Sequence, residues 1–232
     1  MKALIWDFDG TLGYRAGGGW TAALLEVILH EEAACGVVAE QLYPYLQSGF
    51  PWHTPDRPHP EIRTARQWWD TLAPVFERAF QGVGLNASQA RCMARQVRYT
   101  YPNPERWQLF EDTIPTLARL SSQGWTHIVL SNHVPELPHI IEHLELKPYI
   151  AQIYNSAQTG YEKPHRRAFQ AVLDVLPEAT ATWMIGDSMN ADIAGAASAG
   201  IPGVLVRKWH KDAKYCCHEL AQVPVIIEGR SE

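Results

Sequence analysis

The chain has 232 residues, of which 46% are hydrophobic and 19% charged, and its net charge is -5. That balance supports a folded core, excludes disorder as the main state, and gives no reason to expect nucleic acid as a partner. No apolar run reaches the roughly 18 residues that cross a bilayer, and the start lacks a basic, apolar, cleavable leader, so a cytoplasmic protein with no membrane partner is expected. The four cysteines, Cys35, Cys92, Cys216 and Cys217, form no CxxC pair. Reduced thiols fit that pattern, and Cys216-Cys217-His218 reads as a surface turn for want of a second ligand pair.

The first apolar run, "ALIWDFD" (3–9), ends in two acids, Asp7 and Asp9. The glycine cluster of "RAGGGW" (15–20) follows, and then a long section with almost no strand signal. "TAALLEVILHEEAACG" (21–36), residues 64–84 and residues 86–100 read as helices, with Asn86 as an N-cap. "YPNPER" (101–106) closes the section, so residues 16–104 read as a helical insertion between two hinge-like crossings. Further apolar runs follow at 127–133, 151–156, 182–188 and 203–209, and 223–228 is expected to add an edge strand.

Helical patterns separate these runs. Leu117 and Leu120 share a face before Gly124. Ile140, Ile141 and Leu144 form the next stripe, and Phe169, Val172, Leu173 and Leu176 the one before Pro177. Ala191, Ala194, Ala197 and Ser198 suggest a close-packing face ended by Gly200. Alternating strands and helices predict a Rossmann-like, doubly wound parallel α/β sheet. Its core spans 1–15 and 105–232, and the helical domain spans 16–104.

Ligands of open α/β sheets bind beyond the carboxyl ends of the strands. Those ends here carry Asp7 and Asp9, then Ser131 and Asn132, then Asp187, and Lys163 follows the third strand. The set suits phosphoryl chemistry. A carboxylate can attack phosphorus to form an acyl phosphate. Neighbouring acids would repel unless a hard cation such as Mg²⁺ sat among them. Lys163 would offset the added charge, and Pro164 keeps it out of the following helix. The Ser131 hydroxyl and the Asn132 amide can donate to phosphate oxygens.

"DFDGTL", "LSN", "EKP" and "IGDSMNAD", in this order, resemble the four motifs of the haloacid dehalogenase-like hydrolase superfamily. The resemblance covers residues 1–12 and about 107–210, and the insertion is similar in layout to a helical cap between motifs one and two. It implies that Asp7 is the nucleophile and a metal ligand. Asp9 is implied as the general acid and base, with its main-chain carbonyl on Mg²⁺. Thr11 and Ser131 match phosphate contacts, Lys163 the charge-balancing lysine, Asp187 the second metal carboxylate, and Asp192 a supporting acid.

Dehalogenases of the superfamily lack an acid at the position of Asp9, because halide leaves without a proton; an ester oxygen needs one. The expected function is therefore Mg²⁺-dependent hydrolysis of a small-molecule phosphate monoester. The alternatives are a phosphotransferase such as a phosphomutase, a non-catalytic binding protein of the same fold, and a carbon–halogen hydrolase. Gly13-Tyr14-Arg15 departs from the acid or serine that often follows "DGTL", and His133 stands where glycine is frequent. In residues 48–69, His53 or Arg57 reaches the substrate and Trp52 stacks on it, or the aromatics fill a small helical core. Arg15, Trp20 and His133 carry the same two readings.

Overall fold

The computed structural model describes residues 1–31, 36–177 and 180–229. Cys35 and the end of the helix expected over 21–36 lie outside them. Strand β1 (Lys2–Trp6) is followed by β2 (Gly13–Arg15), β3 (Trp107–Leu109), β4 (Trp125–Ser131), β5 (Ile150–Asn155), β6 (Ala181–Gly186), β7 (Gly203–Val206) and β8 (Cys216–Cys217). Six of them form one parallel sheet, β5-β4-β1-β6-β7-β8. β1 lies at its centre, so Ala3–Trp6 is apolar without alternation and fully buried. From β1 the chain moves outward to β4 and β5. It then returns to the other flank of β1 for β6, β7 and β8, which puts the reversal of strand order at β1 beside β6.

Apolar layers cover both faces of the sheet. Leu4, Trp6, Val129 and Ile185 belong to a cluster with Leu117, Leu120 and Ile140. Ile5, Ile128, Leu130 and Met184 pack with Phe169, Val172 and Ala196. The first cluster continues into the chain between β2 and β3, where helices Trp20–Glu31, Ala65–Gly82 and Ala87–Thr100 bury Leu24, Ile28, Trp68, Phe76, Phe80 and Val97. Asn86 caps its helix by accepting from Ser88 N and Gln89 N. Thr64 and Gln67 form a reciprocal capping box on the preceding one.

Three expectations are corrected. Cys216-Cys217, expected in a surface turn, forms β8, paired with Leu205-Val206 of β7, and Cys217 is buried. Residues 223–228 form a helix, not an edge strand. Pro224 stands in its first turn, where no N–H is needed, and Val223, Pro224 and Ile227 face inward while Val225 is exposed. The helix expected at Ala191 begins as a π-helical turn, Met189–Ala194, and continues as Gly195–Ser198. The wider turn rotates the register, so Asp192, Gly195 and Ala196 face the core and Ala194, Ala197 and Ser198 face outward. Gly195 is needed there, because a Cβ would lie 2.7 Å from the Phe169 ring.

β2 and β3 pair antiparallel, Gly13 opposite Leu109 and Arg15 opposite Trp107. This accounts for the departure at 13–15. A Cβ on Gly13 would lie 2.8 Å from the Gln108 carbonyl, and the Tyr14 hydroxyl donates to Gln108 Oε1 at 3.0 Å. Arg15 is buried and works as a cross-tie. It donates to the carbonyls of Gly18 (3.3 Å), Tyr101 (3.3 Å) and Thr100 (3.4 Å) and pairs with Glu26 at 3.0 Å.

One buried histidine in β4 sets an acid limit. His127 Nδ1 accepts from Trp6 Nε1 at 3.0 Å, so Nε2 carries the proton and donates to Leu117 O at 3.1 Å. Burial holds its pKa down to about 4, against the partial opposition of the Leu117 carbonyl. The folded pKa is below the unfolded one, so this contribution is complete above about pH 6.5 and is lost as pH falls toward 4, a difference of about 3 kcal/mol. Urea unfolding from pH 7 to 4 should show wild type losing that much more stability than His127→Gln. Parallel curves for the two proteins would remove His127 as the cause.

Candidate active site

The site forms where the strand order reverses. Asp7 is the first residue past β1, and its N–H extends the ladder to Ile185 O at 2.9 Å. The chain then turns tightly, with Leu12 N (2.9 Å) and Gly13 N (3.1 Å) both on Phe8 O. Gly10 makes the turn at φ 83°, and a Cβ there would stand 3.0 Å from Asp187 Oδ2. Arg207, just past β7, holds the turn from outside: its Nη2 donates to Thr11 O at 3.0 Å and pairs with Asp112 at 2.6 Å.

Asp7 collects three donors. Ser131 Oγ and Lys163 Nζ donate to its Oδ1 at 2.9 and 2.8 Å, and Thr11 Oγ1 to its Oδ2 at 3.4 Å. Lys163 also reaches Asp192 Oδ1 at 2.6 Å. Burial alone would lower the lysine, but the Asp192 and Asp7 carboxylates outweigh it and hold it above the usual range. Burial pushes Asp192 up to about 7. Yet Lys163 and Ser188 N (2.9 Å) both donate to Asp192, the pattern of an ionised carboxylate, and we take the pair as ionised. Gly186 leaves room for it, since a Cβ would lie 2.3 Å from the Asp192 carboxyl.

The two remaining acids are raised. Asp9 presents its exposed surface to the cavity; desolvation by the enclosing walls, then Asp7 and Asp187, push it up to about 7. Burial and Asp7 raise Asp187, opposed by Lys208, whose Nζ lies 2.9 Å from Asp187 Oδ2. Asn132 is engaged elsewhere. Its Oδ1 accepts from Lys163 N at 2.7 Å and its Nδ2 donates to Lys163 O at 2.9 Å, so its side chain grips the loop that presents the lysine.

These groups line one cavity of about 430 Å³. Asp7, Asp9, Asp187, Asp192, Ser131, Asn132 and Lys163 line it together with the rings of Trp20, Trp52, Tyr101 and His133. Tyr101 stacks on Trp20 with centroids 3.6 Å apart, and burial, then Asp9, keeps its hydroxyl protonated. His133 packs on Phe8 and Trp107. Burial lowers it to about 4 against the Val134 backbone and Asp7, and neither ring nitrogen makes a hydrogen bond among the described residues. Trp52, Trp20 and His133 thus reach the cavity, whereas His53 and Arg57 are exposed and outside its lining and Arg15 is the cross-tie of β2.

A second link joins the helical segment to the lysine loop. His59 N donates to Gly160 O at 2.9 Å, and His59 Nε2 lies 3.0 Å from Glu162 Oε1. Gly160 permits that approach, because its Cβ would meet Pro60 backbone at 2.7 Å. Tyr101, Lys208 and His59 carry no motif that marks them, and Glu162 stands in "EKP" without a role of its own there. Only the adjacency of Glu162 to Lys163 offered a signal.

Among the described residues, Asp7, Asp187 and Asp192 can bring carboxylate oxygens within 4.8 Å of one another. Lys163 lies between Asp192 and Asp7, and Lys208 pairs with Asp187, so four acids with Asp9 face two cations and negative charge is in excess. An all-oxygen set of this kind fits a hard divalent ion such as Mg²⁺.

The family model for haloacid dehalogenase-like hydrolases matches residues 1–200. A phosphoglycolate phosphatase from Rhodospirillum rubrum is 28% identical over 217 residues, 88% of this chain and 79% of that protein. A glyceraldehyde 3-phosphate phosphatase from Methanothermobacter thermautotrophicus is 32% identical over 102 residues, covering 42% of this chain and 44% of that protein, so the chain spans under half of that relative's length. The solved HAD-hydrolase YfnB from Bacillus subtilis, bound to magnesium, is 19% identical with 98% of each chain covered and a TM-score of 0.72, a likeness of fold. With the family match running from the first strand through the helix that carries Asp192, the chain belongs to the haloacid dehalogenase-like hydrolases.

Proposed function

We propose that the protein is a cytoplasmic phosphatase acting on a small-molecule phosphate monoester through an aspartyl-phosphate on Asp7. The observation that carries the reading is the Asp7 carboxylate, held by Lys163, Ser131 and Thr11 at the floor of a cavity that Asp9 also faces. An Asp7 oxygen attacks phosphorus and the ester P–O bond breaks. The departing alkoxide takes its proton from the Asp9 carboxyl. Asp9, now a carboxylate, takes a proton from water, whose oxygen attacks the phosphoryl group and frees Asp7 and inorganic phosphate. Lys163 and Ser131 shift from Asp7 to the phosphoryl oxygens as charge develops on them. The Asn132 side chain keeps the lysine loop in register for that shift.

Asp7 and Asp187, with the Asp9 carbonyl, would hold Mg²⁺, and Asp192 would support the site through Lys163. Bound there, the ion supplies positive charge to the phosphoryl group and relieves the repulsion between the acids. The helical segment 16–104 would act as a cap over this floor. Asp9 argues against a carbon–halogen hydrolase, since halide release uses no acid at that position. EDTA should lower release of inorganic phosphate by about 100-fold or more, and added Mg²⁺ should restore it. Turnover indifferent to chelation sinks the metal assignment, and transfer of phosphate to a second alcohol without free phosphate sinks the hydrolase.

A further inference from the structure

Building on the phosphatase reading, we propose that the substrate is the phosphate ester of an alcohol bearing a flat, uncharged ring, which lies against the Trp20–Trp52–Tyr101 wall. Three observations carry it. The charged lining residues are Asp7, Asp9, Asp187, Asp192 and Lys163, all within the set assigned to the phosphoryl group and its metal. Lys163 is the one cation among the described lining residues, and it is held between Asp7 and Asp192. A leaving group with its own carboxylate or second phosphate would therefore find no countercharge, and would face acids. Most of the remaining lining is aromatic or apolar: Trp20, Trp52, Tyr101, Val134 and the His133 ring, whose nitrogens make no hydrogen bond among the described residues.

That wall is built, not incidental. Trp20 is stacked on Tyr101 and lies 5.5 Å from the Phe76 ring, and Trp52 is stacked on Phe50 at 4.7 Å. Trp20 and Trp52 are thus held by stacked aromatic neighbours and still line the cavity. Nearby cations do not compensate. Arg15 is spent on backbone carbonyls and Glu26, Lys208 on Asp187, and Arg57 lies outside the lining. A cavity of about 430 Å³ leaves room beyond the phosphate for a ring system.

The test compares three phosphate esters of primary alcohols in the presence of Mg²⁺: benzyl phosphate, ethyl phosphate and phosphoglycolate. Benzyl and ethyl have similar leaving-group basicity, so their difference reports on binding of the ring. The kcat/KM for benzyl phosphate should exceed that for ethyl phosphate roughly tenfold, and phosphoglycolate should fall below both. Trp52→Ala should bring the benzyl-to-ethyl ratio toward one. Trp52→Arg should raise phosphoglycolate relative to ethyl phosphate, a gain that poor folding cannot produce. A wild-type ratio near one, phosphoglycolate as the best of the three, or ratios unmoved by either variant overturns the substrate class and leaves the phosphatase standing. No release from any of the three overturns the phosphatase reading and this inference with it.

Discussion

Asp7→Asn should abolish phosphate release, with kcat down about 10⁴-fold or more, while the protein stays folded. An amide has nearly the shape of a carboxylate but is no nucleophile. The Asn side chain can still accept from Ser131 and Lys163 where Asp7 now does, at 2.9 and 2.8 Å. Lys163 keeps Asp192 as its counter-ion at 2.6 Å, so no buried charge is left unmatched. Asp9→Asn gives the contrast. Its loss should be severe for alkyl esters and much smaller for esters whose leaving group needs no proton. Residual turnover of Asp7→Asn within tenfold of wild type would remove Asp7 as nucleophile. Equal losses of Asp9→Asn on all leaving groups would remove Asp9 as acid.

Lys163→Met should cost stability as well as activity. The ammonium is buried between two carboxylates, and methionine fills its volume without its charge. Breaking a buried pair by removing one partner typically costs about 3–5 kcal/mol, because the other charge stays behind. In a chain of this size that lowers the midpoint of thermal unfolding by roughly 10 °C when measured in EDTA. The double variant Lys163→Met/Asp192→Asn should recover part of the loss, since it removes one stranded acid, and should recover no activity. Thermal unfolding of wild type and the two variants decides it. A Lys163→Met protein as stable as wild type would show that the lysine is not holding the acids together.

Much of the core was legible in the sequence because its determinants are local. Strands buried on both faces must be continuous apolar runs, and the residues that end them mark the carboxyl edge. By that logic Asp7, Asp9, Ser131 and Asp187 fall at one edge with Lys163 on a nearby loop, and the structure gathers all five around one cavity. The helix at 189–198 escaped it because the stripe was read at a period of 3.6, while the wider first turn swung Asp192 inward. The segment 223–228 escaped because six apolar residues fit a strand or a helix equally, and Pro224 decides only where a first turn is available. Tyr101, Lys208 and the His59–Glu162 link are contacts between residues distant in sequence. The grip of Asn132 on Lys163 spans 31 positions in the same way. No spacing rule encodes such pairs.

The Arg15 cross-tie has a mechanical consequence. A body held by two independent tethers can twist, tilt and slide relative to its base. Here one guanidinium joins the outgoing tether at Gly18 to the returning one at Thr100 and Tyr101, and the β2–β3 pair fuses them below that point. The two crossings are therefore fixed to each other at the base of the helical segment, and the stretch that carries Trp20 into the cavity lining starts from one braced junction rather than from two separate strands.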